Sequence, residues 1–207
     1  MGLVIALNKG RILQECLPLL AACGIEPDED MAASRKLIFN SRQGGHRLII
    51  TRSADVPTYV ENGVADVGVT GKDTILEYGA AMGFYEMLDL GIGRCRMMTA
   101  GPANTSEPPG LLRVASKFVN ITRRYYQARA RQVEVIKLSG AMEIAPLLGL
   151  ADTIVDIVDT GNTLKANGLE ARETICEIST RLIVNRASMK TKFDDVRGLI
   201  DRLAAVV

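Results

Sequence analysis

A Thr-Gly-Asn-Thr turn, residues 160–163 in "IVDIVDTGNTL", is the segment best suited to bind an anion. An apolar run precedes it and "LKAN" follows it, so the turn joins a predicted strand to a predicted helix. Successive N–H groups at a helix start bind phosphate, and Gly161 allows the backbone to approach the ligand. Thr160 and Thr163 add hydroxyl donors beside Asn162. A threonine-capped helix after a strand explains the same segment without any ligand, so this segment alone leaves both interpretations open.

Two aspartates, Asp156 and Asp159, stand directly before this turn. Their carboxylates would repel a bare phosphate, but they can accept hydrogen bonds from the hydroxyl groups of a sugar. A phosphorylated sugar therefore explains the whole set of residues better than phosphate alone.

Cations recur where strands are predicted to end. Lys9 and Arg11 of "NKGR" lie at the start of the first predicted helix, where the helix dipole prefers anions, and Lys72 of "TGKD" lies at a similar junction. Arg35 of "SRKL" and Arg52 after "LIIT" add two more. A bound polyanion would account for such placements. A solvated basic turn is the alternative, since it costs only ~0.3–1 kcal/mol per charge.

The histidine and cysteine content argues against two other kinds of chemistry. His46 is the only histidine and lies in the loop-like "RQGGHR", so a Ser-His-Asp or Cys-His mechanism has little support. The four cysteines show no C-x-x-C pairing and no neighbouring histidine at metal-ligand spacing. We expect buried or half-buried free thiols and no metal cage built by the protein.

Charge and hydropathy narrow the class of protein. The 25 basic and 24 acidic residues nearly balance, and no long basic run provides a footprint for nucleic acid. The first residues, "MGLVIALNKG", lack the features of a signal peptide, and their apolar run is too short to span a membrane. These features predict a soluble cytoplasmic protein that binds neither nucleic acid nor membrane.

Short apolar runs alternate with segments of helical period, which is typical of α/β architecture. The predicted strands are 3–7, 46–52, 65–71, 112–116, 133–138, 153–158 and 173–185. The predicted helices are 12–24, 53–63, 72–79, 117–130, 141–150 and 190–206. The order suggests two lobes: residues 1–90 with a returning segment 173–207 as lobe I, and residues 91–172 as lobe II. Clefts between such lobes commonly bind small ligands.

Several segments, in this order, resemble the ATP phosphoribosyltransferase family of histidine biosynthesis. They are "LNKGRI", "SRKLIF", "TRSADVPTYVENGVADVGVTGKD", "LDLGIGRCRMMTAG" and "EIAPLLGLADTIVDIVDTGNTLKANGL". In the last segment the residues that fit the family signature are Glu143, Gly149, Asp156, Thr160, Gly161, Thr163 and Leu164. The resemblance covers essentially the whole chain, although residues 40–46 match no family pattern and receive no role.

The resemblance implies a two-lobed fold like that of type II periplasmic binding proteins, with the active site in the interlobe cleft. It implies a transferase that condenses ATP with 5-phosphoribosyl 1-pyrophosphate, giving phosphoribosyl-ATP and pyrophosphate, with Mg²⁺ bound mainly through substrate phosphates. Attack by adenine N1 requires no proton abstraction, which suits a chain with one histidine.

The resemblance also assigns roles to residues. Thr160, Gly161, Asn162 and Thr163 would hold the 5-phosphate, and Asp156 and Asp159 would face the ribose, with Glu143 in the same site. Lys9, Arg11 and Arg35 match catalytic positions associated with pyrophosphate and the nucleotide phosphates. Arg52 and Lys72 are further candidates for binding nucleotide phosphates.

The chain resembles the short form of the family, because long-form members continue into a histidine-binding regulatory domain where this sequence ends at Val207. The short form implies a separate regulatory subunit like histidyl-tRNA synthetase, and a homodimer within a larger hetero-oligomer. Three alternatives remain: a solute-binding module of the same fold, a ligand-sensing domain of a regulator, and a type I phosphoribosyltransferase. The first is normally exported, the second lacks a preceding DNA-binding segment, and the third fits the flanking segments poorly.

Overall fold

The structure is a computed structural model that describes residues 2–31, 33–79 and 83–207. The chain forms two compact units, residues 1–93 together with 179–207, and residues 94–178. Residues 1, 32 and 80–82 of the expected first lobe lie outside the described residues. No helix in the described part of the chain has the length and apolar character needed to cross a membrane.

The first unit is a six-stranded sheet with helices packed against it. In spatial order its strands are β2 (Ile38–Asn40), β3 (Arg47–Thr51), β1 (Val4–Asn8), β4 (Val67–Gly71), β11 (Thr180–Asn185) and β5 (Phe84–Asp89). Strand β1 pairs in parallel with β3 and β4, whereas β11 runs antiparallel to β4 and β5. Its helices are α1 (Arg11–Ala22), α2 (Val56–Glu61), α3 (Lys72–Tyr78), α7 (Ser188–Thr191) and α8 (Phe193–Ala204).

Both faces of this sheet are covered, which explains why its central strands are mainly apolar. In β1, Ile5 and Leu7 belong to the core cluster that includes residues of α1 and α8, while Ala6 belongs to the cluster that includes residues of α2 and α3. Successive side chains of a strand point to opposite faces of the sheet. When both faces are covered, apolar side chains therefore occur at consecutive positions instead of alternating with polar ones. Helix α1 contributes Leu13 and Leu20 from one buried stripe.

The second unit is a five-stranded sheet with the spatial order β10 (Leu169–Ile178), β6 (Cys95–Pro102), β9 (Thr153–Val158), β7 (Leu112–Ser116) and β8 (Val133–Lys137). Strands β7, β8 and β9 are parallel, and β6 runs antiparallel to both of its neighbours. Its helices are α4 (Val119–Gln127), α5 (Ile144–Leu147) and α6 (Asn162–Ala166). The two-sheet α/β architecture predicted from the sequence is confirmed.

Residues 173–185 form two strands rather than the single strand that the sequence predicts. Strand β10 ends with Ile178 paired to Cys95, and after Ser179 strand β11 begins with Thr180 paired to Gly71 in the other sheet. The sequence analysis expected the chain to return to the first lobe at residue 173, but residue 173 lies inside β10, a strand of the second unit. Both strands are rich in Thr, Ile and Val, which are typical of strands, so the composition of this segment does not reveal the change of sheet.

The C-terminal helix predicted over 190–206 is also divided. Helix α7 ends at Thr191 and α8 begins at Phe193, because Lys192 leaves the helical conformation with φ −127° and ψ 36°. The Nζ of Lys192 donates to Oδ2 of the buried Asp66 at 2.7 Å. The residue at the break thus contacts a residue more than a hundred positions earlier in the sequence.

Candidate functional site

A hollow of about 200 Å³ lies on the second unit, beside the Thr-Gly-Asn-Thr turn. The structure brings all seven residues expected to bind the phosphoribosyl group to its lining. They are Glu143, Asp156, Asp159, Thr160, Gly161, Asn162 and Thr163. Six of them are contiguous or nearly so, and Glu143 arrives from the residue before α5.

Strand β9 delivers the turn, because it lies inside the sheet with β6 on one side and β7 on the other. After β9 ends, Gly161 takes the left-handed conformation (φ 79°, ψ 5°) and α6 begins at Asn162. The carbonyl of Gly161 accepts from the N–H of Lys165 at 3.1 Å, which closes the first helical turn. A Cβ at residue 161 would meet only Val158 Cγ1, at 3.8 Å. The positive φ, rather than crowding by protein atoms, therefore favours glycine here.

The two aspartates and Glu143 make part of this lining acidic. Asp156 is half-buried near the end of β9, and its Oδ1 accepts from the N–H of Ile157 at 2.8 Å. Asp159 is exposed at the start of the turn, and Glu143 is half-buried. Carboxylates accept hydrogen bonds from hydroxyl groups, whereas hydroxyl and backbone N–H groups of the turn donate to an anion. This arrangement can bind a sugar phosphate.

A second hollow, of about 270 Å³, shares Thr160 and Gly161 with the first and adds two cations, Arg96 and Lys165. The sequence analysis missed both. Lys165 directly follows the signature and could have been noticed, but Arg96 comes from β6, and nothing near it in the sequence points to the turn. The lining is thus acidic on the side of Asp156 and richer in cations in this second hollow.

The first unit carries a separate hollow of about 330 Å³. Lys9 and Arg35, two of the predicted catalytic residues, both line it. The rest of the lining combines the apolar side chains of Leu13, Met31, Leu37 and Ile50 with Gly10, Gln14, Ser34 and Lys36. Cations beside an apolar surface suit a ligand with an aromatic ring and an anionic group.

The structure does not bring every predicted cation to this lining. Arg11 is the first residue of α1, and its Nε donates to Oε1 of Glu15 at 2.6 Å. Arg52 follows β3 and precedes a 3₁₀ turn, Ser53–Asp55. Lys72 donates through Nζ to Oε2 of Glu86 at 2.5 Å, and both side chains are about three-quarters buried. This ion pair gives Lys72 a structural role within the first unit.

His46 and the cysteines occupy structural positions. The Nδ1 of His46 accepts from the N–H of Leu3 at 3.1 Å, and burial lowers the pKa of the imidazole, which favours the neutral form that can accept. The predicted free thiols are confirmed, with Cys16 and Cys23 buried and Cys95 and Cys176 half-buried. Within residues 2–31, 33–79 and 83–207, no three His, Cys, Asp or Glu side chains form a group that could hold a metal ion.

Comparison of the chain with known proteins points to one family. The family model described as "HisG: ATP phosphoribosyltransferase" matches residues 52–205. The chain is 60% identical to an ATP phosphoribosyltransferase of Teredinibacter turnerae over 205 residues, which are 99% of this chain and 96% of that protein. It is 62% identical to that of Saccharophagus degradans with the same coverage, and 58% identical to that of Pseudomonas aeruginosa over 99% and 97% of the two chains.

A solved structure agrees with these relatives. The "ATP phosphoribosyl transferase (HisG:HisZ) complex from Thermotoga maritima" contains a chain that is 34% identical to this one, with a TM-score of 0.86. The similarity covers 99% of this chain and 98% of that chain. The sequence and the fold therefore agree, and this chain belongs to the ATP phosphoribosyltransferase family.

Proposed function

We propose that this chain transfers the phosphoribosyl group of 5-phosphoribosyl 1-pyrophosphate to N1 of the adenine of ATP. The products are phosphoribosyl-ATP and pyrophosphate, and the reaction is the first step of histidine biosynthesis. The hollow on the second unit carries this proposal, because it combines a phosphate-binding turn with carboxylates that suit ribose hydroxyls. Proteins that are about 60% identical to nearly the whole chain bear the same activity in their names.

The second unit would bind the phosphoribosyl group. The N–H groups and hydroxyls of Thr160, Gly161, Asn162 and Thr163 would hold the 5-phosphate. Asp156 and Asp159 would accept from the ribose hydroxyls, and Glu143 lines the same hollow. Held at both ends, the ribose would present C1 to the nucleotide in a fixed orientation.

The cations of the first unit would act on the phosphates. Lys9 and Arg35 line one hollow with an apolar surface that suits a purine ring, and Arg11 lies at the start of α1. Adenine N1 already carries a lone pair, so the reaction needs no general base. These three side chains would instead stabilise the negative charge that develops on the departing pyrophosphate. Arg52 and Lys72 are further candidates for the nucleotide phosphates, although Lys72 already pairs with Glu86.

Mg²⁺ would enter with the phosphates of the substrates. The ion prefers oxygen ligands and is commonly held by one or two carboxylates together with substrate phosphates. Among the described residues no three acidic, histidine or cysteine side chains form a metal-binding group, so the substrate phosphates would supply most of the ligands, and one carboxylate of the hollow on the second unit, Asp156 or Asp159, would supply a further oxygen. When bound, Mg²⁺ supplies positive charge that neutralises phosphate oxygens.

We further propose that the chain is the catalytic subunit of a short-form enzyme, working with a HisZ-type regulatory subunit that resembles histidyl-tRNA synthetase. Two observations support this. The relatives are of similar length, since the chain covers 94–97% of them, and the solved neighbour is a HisG:HisZ complex. The chain would form a homodimer within the larger assembly. Both substrates are made inside the cell, so we assign the enzyme to the cytoplasm.

The test is to mix the protein with ATP, 5-phosphoribosyl 1-pyrophosphate and Mg²⁺, and to follow the ultraviolet change of the adenine adduct. Mass spectrometry would identify phosphoribosyl-ATP, and omission of each substrate serves as the control. Binding of either substrate without product, with or without the HisZ-type subunit, would favour a solute-binding or ligand-sensing module of the same fold.

A further inference from the structure

Glu15 contacts both Arg11 and Gly93, and the proposed reaction has so far given Glu15 no role. It lies in α1, one turn after Arg11, and its Oε1 accepts from Arg11 Nε at 2.6 Å. Its other oxygen, Oε2, accepts from the backbone N–H of Gly93 at 2.8 Å. One carboxylate thus joins a side chain proposed to act on pyrophosphate to the last residue of the first segment of the first unit.

The Gly93 side of this bridge is firmly held. Gly93 has φ +60°, and a Cβ there would lie 2.9 Å from Thr180 Oγ1 and 3.4 Å from Ile12 Cγ1. The loop before it is tied to β11, because Leu90 N–H donates to the carbonyl of Thr180 at 2.9 Å and Thr180 N–H donates to that of Ile92 at 3.0 Å. Gly93 therefore offers Glu15 a donor in a fixed position, and the fixed carboxylate limits where Arg11 can lie.

Helix stability does not account for this pair. The Arg11 side chain is 63% exposed, and exposed ion pairs contribute little to folding. An arginine at the helix start followed by glutamate four residues later is also the less favourable order relative to the helix dipole. The exposed guanidinium is, however, well placed to meet an anion arriving from solvent.

We propose that Glu15 is a positioning residue that holds the guanidinium of Arg11 ready to stabilise the departing pyrophosphate. The inference rests on the proposed function, because it assumes that Arg11 stabilises the departing pyrophosphate. Fixing the donor before the substrate arrives avoids reorganisation during the reaction, which is the basis of electrostatic catalysis by preorganised groups.

The chain offers a matched control. In α8, Arg197 and Asp201 form another arginine–carboxylate pair at i and i+4, with Nε 3.0 Å from Asp201 Oδ1, and both side chains are 56% exposed. Asp201→Asn removes an ion pair of the same type and spacing away from the proposed site. We expect this variant to keep the kinetics and the melting temperature of the unmodified protein.

Glu15→Gln keeps an oxygen that can accept from Gly93 but removes the charge that attracts Arg11. We expect turnover to fall about tenfold to a hundredfold, with KM for each substrate changed by less than about threefold, because loss of orientation acts mainly on the transition state. Pyrophosphate binding, measured by calorimetry, should weaken in the same variant. The melting temperature should match that of Asp201→Asn.

A double-mutant cycle separates positioning from a general structural role. If Glu15 acts through Arg11, the Arg11→Ala variant should be insensitive to the added Glu15→Gln change. Additive losses in the double variant, or Glu15→Gln with unchanged turnover, would overturn the inference. An unmodified protein that makes no phosphoribosyl-ATP would instead overturn the proposed function itself.

Discussion

At the scale of single residues, Gly161 combines a left-handed backbone with open space around it. The residue has φ +79°, and a Cβ there would meet only Val158 Cγ1 at 3.8 Å, so no protein atom blocks a Cβ. What excludes one is the backbone conformation and the ligand proposed to occupy that space. The effect of a substitution at residue 161 on ligand binding can therefore be distinguished by experiment from its effect on backbone strain.

Gly161→Val should weaken binding of 5-phosphoribosyl 1-pyrophosphate by about tenfold or more, whereas ATP binding should change little. A valine in this conformation costs ~1–3 kcal/mol of strain, and its methyl groups would occupy the proposed phosphate position. Calorimetry with each substrate measures the two affinities. Gly110→Val is the control, because Gly110 also has a positive φ (+87°) and open surroundings. Equal weakening of both substrates by Gly161→Val would contradict the assignment.

Arg35 provides a second prediction at this scale. Arg35→Ala should lower turnover by about 10²–10³, which corresponds to ~2.7–4 kcal/mol of barrier, because one cation that stabilises the leaving group is removed. Initial rates at saturating substrates test this. Arg42→Ala is the control, since Arg42 is an exposed arginine whose Nε donates to the carbonyl of Pro27. Wild-type turnover in Arg35→Ala would remove Arg35 from the mechanism.

At the scale of elements, Asp66 attaches the two C-terminal helices to the first sheet. Its Oδ1 accepts from Ser188 Oγ at 2.7 Å, and its Oδ2 accepts from Lys192 Nζ at 2.7 Å and from Val4 N–H at 2.8 Å. Burial would raise the pKa of this carboxyl, but the hydrogen bonds, led by the one from Lys192, outweigh burial and lower the pKa from its ordinary value of 3.8.

Asp66→Ala should destabilise the protein by ~3 kcal/mol, because it leaves Lys192, Ser188 and the Val4 N–H without a buried acceptor. Urea unfolding at pH 7 measures the loss. Lys190→Ala is the control, since Lys190 is an exposed lysine of α7 outside this set of hydrogen bonds to Asp66.

The lowered pKa of Asp66 also predicts a pH dependence. Its ionised form contributes stability above pH ~4, near the unfolded pKa, and this contribution disappears as pH falls through the lower folded pKa. The difference in unfolding free energy between the unmodified protein and Asp66→Asn should therefore shrink as the pH falls below about 4. Urea unfolding across this range measures it. A constant difference would show that ionisation of Asp66 does not stabilise the fold.

At the scale of the whole molecule, regulation should depend on a second polypeptide. The solved neighbour from Thermotoga maritima is named as a HisG:HisZ complex, and we propose a partner of the HisZ type for this chain. Histidine would then bias the catalytic subunit through that partner, which is allosteric coupling between distinct sites.

Histidine at moderate concentration should leave the isolated chain active and should inhibit it once the HisZ-type subunit is added. The measurement is initial rate against histidine concentration, with and without the partner. Leucine at the same concentrations controls for a general effect of amino acids. Potent inhibition of the isolated chain, non-competitive with both substrates, would show that this chain binds histidine itself.

The sequence by itself determined the turn that we propose binds phosphate, because every part of that signal is local. The strand, the two aspartates, Gly161 and the first residues of α6 are consecutive, and backbone geometry brings them to one hollow without help from distant residues. The α/β class could also be predicted from the sequence, since the spacing of apolar residues in strands and in amphipathic helices is a local property.

Only the tertiary structure decided which distant residues meet. Periodicity records that a side chain is buried but not which element covers it, so residues 173–185 read as one strand while they serve two sheets. For the same reason the sequence did not reveal the pairing of Lys72 with Glu86 or the hydrogen bond from Gly93 N–H to Glu15. An ion pair forms wherever the fold places opposite charges within reach, and that distance is set by the packing of whole elements rather than by neighbouring residues.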